Sequence, residues 1–261
     1  MDAVAYAEWL ERLVARLSQD DRVIGVVGLG STAGTDREPD EWSDHDVWVI
    51  VRAGFEEELR IDPSWLPDHE RLVMWMRETE HSVKAVYEDG HLVEATVFRL
   101  DEVAVARVNA MRVLLDKGGV AAALPEVREA TEAHLAAERR SEGFLVGQFV
   151  TGLLVGLSRH ARGEEISGHE FVKMHAVGHL LALLPRVLDP DDPAAVDELD
   201  SWRRVEQAFP EMAERISAAL LEDTPSCALG LLAVAETLSP QLESWPTGVA
   251  QAVRRQASEL L

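Results

Sequence analysis

Cysteine is almost missing from this chain. Cys227 is the single one in 261 residues, which excludes an internal disulfide and any metal site built from several thiolates. Lysine is nearly as scarce, with only Lys84, Lys117 and Lys173, and basic residues as a whole are outnumbered: 25 Lys and Arg stand against 47 Asp and Glu, a formal net charge of −22. A nucleic-acid surface relies on a basic footprint that such a balance does not offer, so no nucleic-acid partner is expected. Solubility alone accounts for the acidic excess, although a small cationic substrate would also be drawn in. No apolar run reaches membrane-spanning length, and the N-terminal stretch lacks a basic segment followed by an apolar core, so no membrane partner is expected and the cytoplasm is the expected compartment. Internal repeats and low-complexity linkers are absent too. What remains is 47% hydrophobic, enough to bury one large core or two ordinary ones.

The chain is organised around one stretch. Arg22 to Val27 is a short apolar run that reads as a buried strand, and it ends at Gly28-Leu29-Gly30-Ser31. With no Cβ at Gly30 and a small hydroxyl at Ser31, a polyphosphate can approach the backbone there and meet its N–H groups. After a twelve-residue spacer, Thr32 to Ser43, Asp44-His45-Asp46 leads into the β-branched run Val47 to Val51. Residues two apart on a strand share a face, so Asp44 and Asp46 point one way and His45 the other. Two adjacent carboxylates repel each other unless a cation lies between them, and a hard oxygen pair suits Mg²⁺. A lone D-x-D would be ordinary in so acidic a chain, but one that follows a strand and Gly-Ser and heads a second apolar strand is a far rarer conjunction.

This pattern resembles the signature of the DNA polymerase β-type nucleotidyltransferase superfamily. The resemblance extends to Arg112-Val113-Leu114-Leu115-Asp116-Lys117-Gly118-Gly119, similar to the closing strand and turn of the antibiotic (aminoglycoside and lincosamide) nucleotidyltransferases. It implies an α+β fold: an N-terminal catalytic domain with a mixed β-sheet flanked by helices, then an all-helical C-terminal domain that completes the substrate cleft. It also implies Mg²⁺ held by Asp44 and Asp46, and a nucleoside triphosphate, by default ATP, bound through Gly30 and Ser31. The acceptor it implies is a hydroxyl of a small cationic molecule, as in antibiotic resistance. A third acid belongs on a neighbouring strand, and Glu94, flanked by Val93 and Ala95, fits it either as metal ligand or as catalytic base. Glu80 and Glu88 are nearby alternatives, and a surface glutamate paired with Arg99 is the plain structural reading. Two rival functions remain: a protein-modifying nucleotidyltransferase of toxin–antitoxin type, and a non-catalytic nucleotide-binding module.

The rest of the chain reads coherently around this site. Leu10, Leu13, Val14 and Leu17 predict an amphipathic first helix. Leu72 to Met76, Ser82 to Tyr87 and His91 to Phe98 predict strands, with Asp89-Gly90 as a hairpin turn. Asp101 to Asn109 reads as a helix and Met111 to Asp116 as a last strand, closing a catalytic domain over 1–122. Residues 123–261 read as helices throughout: one long segment from Pro125 to about His160, then 168–184, 193–209, 211–221, 225–238 and 246 to the end, several opened by proline. Within them Lys173 could reach a triphosphate, while a solvated helix lysine is the plainer reading. His175 and His179 lack a third ligand at matching spacing and read as packing residues. Arg162 with His169 fits only loosely the spacing of helical ribonuclease toxins, and Glu164 and Glu165 could meet a cationic substrate or simply be solvated.

Overall fold

A computed structural model describes residues 2–34 and 38–261, so part of the spacer between Ser31 and Asp44 lies outside the described residues. The chain forms two compact units, 1–137 and 138–261.

The first unit is a six-stranded mixed sheet in the order β3-β4-β5-β2-β1-β6. Its strands are β1 (Val23–Leu29), β2 (His45–Val51), β3 (Leu72–Arg77), β4 (Ser82–Tyr87), β5 (Leu92–Arg99) and β6 (Met111–Asp116). Every pairing is antiparallel except β2 with β5. Helix α1 (Ala3–Ser18) covers one face with Trp9, Leu13 and Leu17, packed on Val47, Val49, Val51, Val93, Ala95 and Val97. The buried stripe of α1 starts at Tyr6 and recurs at every third or fourth residue, one turn earlier than the leucine pattern predicts. A one-turn helix α2 (Gly30–Ala33) follows β1, and α3 (Glu56–Ile61) follows β2. On the other face Trp48, Ile50 and Phe98 pack against Val120, Leu124 and Val127 of α4 (Val120–Glu138). That packing carries the first unit past the boundary expected at 122.

The Arg112–Gly119 motif ties these layers together. The Asp116 carboxylate accepts the N–H groups of Gly118, Gly119, Val120 and Ala121 at 2.7–3.1 Å, which anchors the start of α4 and holds its carboxyl below the usual range. Lys117 donates its ammonium to the carbonyls of Leu17, Ser18 and Asp20, closing the C-terminal end of α1. Instead of the predicted 101–109 helix there is a 3₁₀ stretch, Leu100–Val105.

The second unit is all helix and turn: α5 (Glu142–Ala161), α6 (Glu165–His169), a π-helical stretch Glu170–Ala176, α7 (Val177–Val187), α8 (Val205–Ala208), α9 (Pro210–Leu220), α10 (Thr224–Leu238) and α11 (Thr247–Leu260). The predicted segment from Pro125 to His160 is two helices, because Ser141 caps α5 through the Phe144 N–H at 3.1 Å. Most of 193–209 is irregular, because the buried Asp197 carboxylate takes the N–H groups of Leu199 and Asp200 and an ion pair with Arg204 at 3.0 Å. Leu153 and Leu157 of α5 sit in a core with Leu180, Leu231 and Val253. Gly156 permits the closest approach in that core, since a Cβ there would lie 2.5 Å from Val172 Cγ2 and 3.0 Å from the Gly168 carbonyl. Cys227 is fully buried in it, and burial pushes its thiol up to about 11, leaving an inert packing residue. Among the described residues no single helix is long and apolar enough to cross a membrane.

Candidate active site

Gly30 sits at φ +49° and turns the chain out of β1 into α2, a conformation that any side chain would strain. Its own N–H donates to the Ala110 carbonyl at 3.2 Å, so the amides left to face an anion begin at Ser31. An atom added in the Cβ position of Gly30 would stand 3.7 Å from Asp46 Oδ2; the Asp46 carboxylate therefore overlooks the turn. Asp44 ends the loop and Asp46 is the second residue of β2, both half-buried.

The parallel pairing of β2 with β5 sets Glu94 directly beside Asp46. Both lie on the face that carries Trp48 and Phe98, opposite α1. Glu94 is met by Lys84, its neighbour on β4, whose ammonium bridges Glu94 Oε1 and Glu78 Oε1 at 2.8 Å each. Hydrogen bonds that the Lys84 ammonium donates to Glu78 and Glu94 raise the Lys84 pKa. The partner is thus Lys84 and not Arg99, which pairs with Asp101, Glu56 and Glu102. The alternatives to Glu94 stand elsewhere: Glu88 pairs with Arg71 in the β4–β5 turn, and Glu80 lies between β3 and β4, at the other end of these strands.

On the α1 face behind the aspartates the residues are buried and neutral. His45 is fully buried, its Nδ1 3.0 Å from His91 Nε2 and its Nε2 3.2 Å from the Tyr6 carbonyl. A carbonyl only accepts, so the neutral His45 carries its proton on Nε2 and takes the His91 proton on Nδ1. Burial and the neighbouring His91 push its pKa down to about 3. Tyr6 stacks on the His45 ring, with centroids 3.6 Å apart. Burial pushes the Tyr6 phenol up, against the pull of the Thr32 and Ser31 hydroxyls. Sequence reasoning missed Tyr6, Thr32, His91 and Lys84. Only Tyr6 left a signal, as the first residue of the buried stripe on α1.

Of the residues singled out in the sequence, Gly30, Ser31, Asp44, Asp46 and Glu94 come together in the first unit. Lys173 lies in the second, where its ammonium donates to the carbonyls of Leu220 and Glu222 at the end of α9. There it closes a helix terminus, a structural task different from the triphosphate contact expected. Glu164 pairs with Arg159 and Arg162, and Glu165 with His160; His179 packs edge-on against Phe144, and His175 faces Glu170.

Two half-exposed carboxylates on one edge suit a hard cation that keeps waters and substrate phosphates among its ligands. Among the described residues no three His, Cys, Asp or Glu side chains gather around a single point, and Glu94 is turned to Lys84. The fit to a divalent ion therefore rests on Asp44 and Asp46.

Solved structures with a similar course include an aminoglycoside 6-adenyltransferase from Bacillus subtilis, at 11% identity, TM-score 0.37, with 97% of each chain covered. A nucleotidyltransferase-like protein from Exiguobacterium sibiricum matches at 12% identity and TM-score 0.34, over 97% of this chain and 88% of that one. A Bradyrhizobium diazoefficiens CD-NTase in complex with GTP matches at 16% and 0.31, over 99% and 94%. Scores this low carry no weight by themselves. No curated protein matches the chain. The family model described as streptomycin adenylyltransferase matches residues 5–138, just over half of the chain and the whole of the site from Tyr6 to Asp116. The chain belongs to the streptomycin adenylyltransferase family and is a nucleotidyltransferase.

Proposed function

We propose that this enzyme transfers a nucleoside monophosphate, AMP from ATP, to a hydroxyl of a small cationic amino-sugar of the aminoglycoside or lincosamide kind, releasing pyrophosphate in the cytoplasm. The observation that carries this reading is Asp46, which overlooks the Gly30 turn and stands beside Glu94 on one face of the sheet, with Asp44 two residues before it.

Asp44 and Asp46 would hold Mg²⁺, which when bound neutralises the phosphate charge and polarises the phosphorus under attack. The Ser31 amide, at the start of a one-turn helix where N–H groups have no intrahelical acceptor, faces the phosphate tail, and the Gly30 turn keeps side chains out of its way. Glu94 stands beside Asp46 with one oxygen on Lys84; it acts as the base that takes the acceptor hydroxyl proton as the oxygen attacks phosphorus. Lys84, anchored by Glu78, restrains that carboxylate in the site. A net charge of −22 favours the encounter with a polycationic acceptor and disfavours nucleic acid.

The test is pyrophosphate release by purified protein with Mg²⁺, each nucleoside triphosphate in turn, and a panel of amino-sugars that includes streptomycin. Release that requires ATP and an amino-sugar together is expected. Release with no acceptor of this class, alongside nucleotide transfer to a protein, would replace the reading with a protein-modifying one.

A further inference from the structure

The two aspartates are joined through the buried side of the sheet by a hydrogen-bond chain with a single possible direction. The Tyr6 phenol lies 2.9 Å from the Asp44 carbonyl and 2.6 Å from Thr32 Oγ1, and the Asp46 N–H reaches that same Oγ1 at 3.0 Å. A carbonyl can only accept, so the one phenolic proton goes to Asp44. The Thr32 hydroxyl must then donate to Tyr6, and its oxygen receives the Asp46 N–H. Each member is fixed: Tyr6 is 2% exposed and Thr32 1%, and the Tyr6 ring lies at 12° to the His45 ring.

We propose that Tyr6, acting through Thr32, is a positioning residue that sets the main chain of Asp44 and Asp46 on either side of His45, and so the spacing of their carboxylates. The proposal rests on the reading of Asp44 and Asp46 as holders of a divalent cation. Helix α1 thereby does more than cover the sheet, since its first turn enters the loop between β1 and β2 and locks the two acids to each other. Packing alone does not call for this chain, because the ring area and the stack on His45 survive in phenylalanine.

The experiment measures ATP binding by calorimetry across a Mg²⁺ series in the full chain, with melting temperature recorded beside it, for Tyr6→Phe, Thr32→Val, Thr32→Ser and Asp46→Asn. Tyr6→Phe and Thr32→Val should each raise the Mg²⁺ needed for half-maximal ATP binding by about tenfold, the low end for groups that orient metal ligands from behind. Thr32→Ser keeps the hydroxyl and should restore the parental requirement. The double variant Tyr6→Phe with Thr32→Val should be no worse than either single one, because one chain is broken once. A parental Mg²⁺ requirement in Tyr6→Phe, whatever its melting temperature, would overturn the proposal while leaving the cation reading intact, provided that Asp46→Asn has lost Mg²⁺-dependent binding. Undiminished binding in Asp46→Asn would overturn both together. Should Tyr6→Phe fail to fold, the Thr32 pair decides: equal Mg²⁺ requirements in Thr32→Val and Thr32→Ser would end the proposal.

Discussion

The two sides of strand β2 are built on opposite rules. On the side of α1, His45 is fully buried, neutral and hydrogen-bonded at both ring nitrogens. On the other side, one residue away, Asp46 is half-buried beside Glu94, whose side chain is 37% exposed and held by Lys84. Charge is expensive to bury and strong where it is only partly hydrated. At its start the strand sets a neutral, buried residue on one face and carboxylates on the other, while Trp48 and Ile50 further along pack that second face against α4. Pleating lets both conditions meet within three residues.

The sharpest way to break this contrast is on the charged face. Glu94→Gln keeps shape and removes a negative charge. If Glu94 takes the acceptor proton, turnover in the pyrophosphate assay should fall about 10²–10⁴-fold while nucleotide affinity stays near that of the parent. A fall of affinity together with turnover would make Glu94 a metal ligand, and parental turnover would remove it from the site.

A smaller effect is expected where the two faces are joined. Asp116 secures α4 on one face while the adjacent Lys117 secures α1 on the other. Asp116→Ala should lower stability in urea unfolding by about 1 kcal/mol at pH 7, the usual worth of a helix cap on an exposed group. The folded carboxyl is held below its ordinary value by four backbone N–H groups. Its contribution is therefore complete above the unfolded pKa of about 3.9 and is lost as pH falls through the folded one. The gap between parent and variant should be constant from pH 7 to 5 and close in acid. A gap that widens in acid would contradict the assignment.

How much of this could be read in the sequence follows from range. The apolar runs of β1 and β2, the Gly30 turn between them, the pair of aspartates and the β4–β5 hairpin are encoded within a few residues of themselves, and all are found. The partners His91 for His45 and Tyr6 for Asp44 are set by a strand order and a helix placement that join residues up to 46 positions apart. No local pattern carries them. Single capping side chains also decide what propensity cannot: Ser141 divides what reads as one helix, and Asp197 dissolves what reads as another. Lys173 shows the same limit, because a lone lysine on a helix looks equally suited to a phosphate and to the helix end it closes.

Whether Asp44 and Asp46 bind a divalent cation for a nucleoside triphosphate is decided by one substitution. Asp46→Asn deletes a ligand charge at nearly constant shape at a half-buried position outside the buried core. Calorimetric titration of ATP with and without Mg²⁺ should show Mg²⁺-dependent binding in the parent and none in the variant, with melting temperature and circular dichroism unchanged. Equal Mg²⁺-dependent binding by both proteins would contradict the account and move the cation site away from the pair.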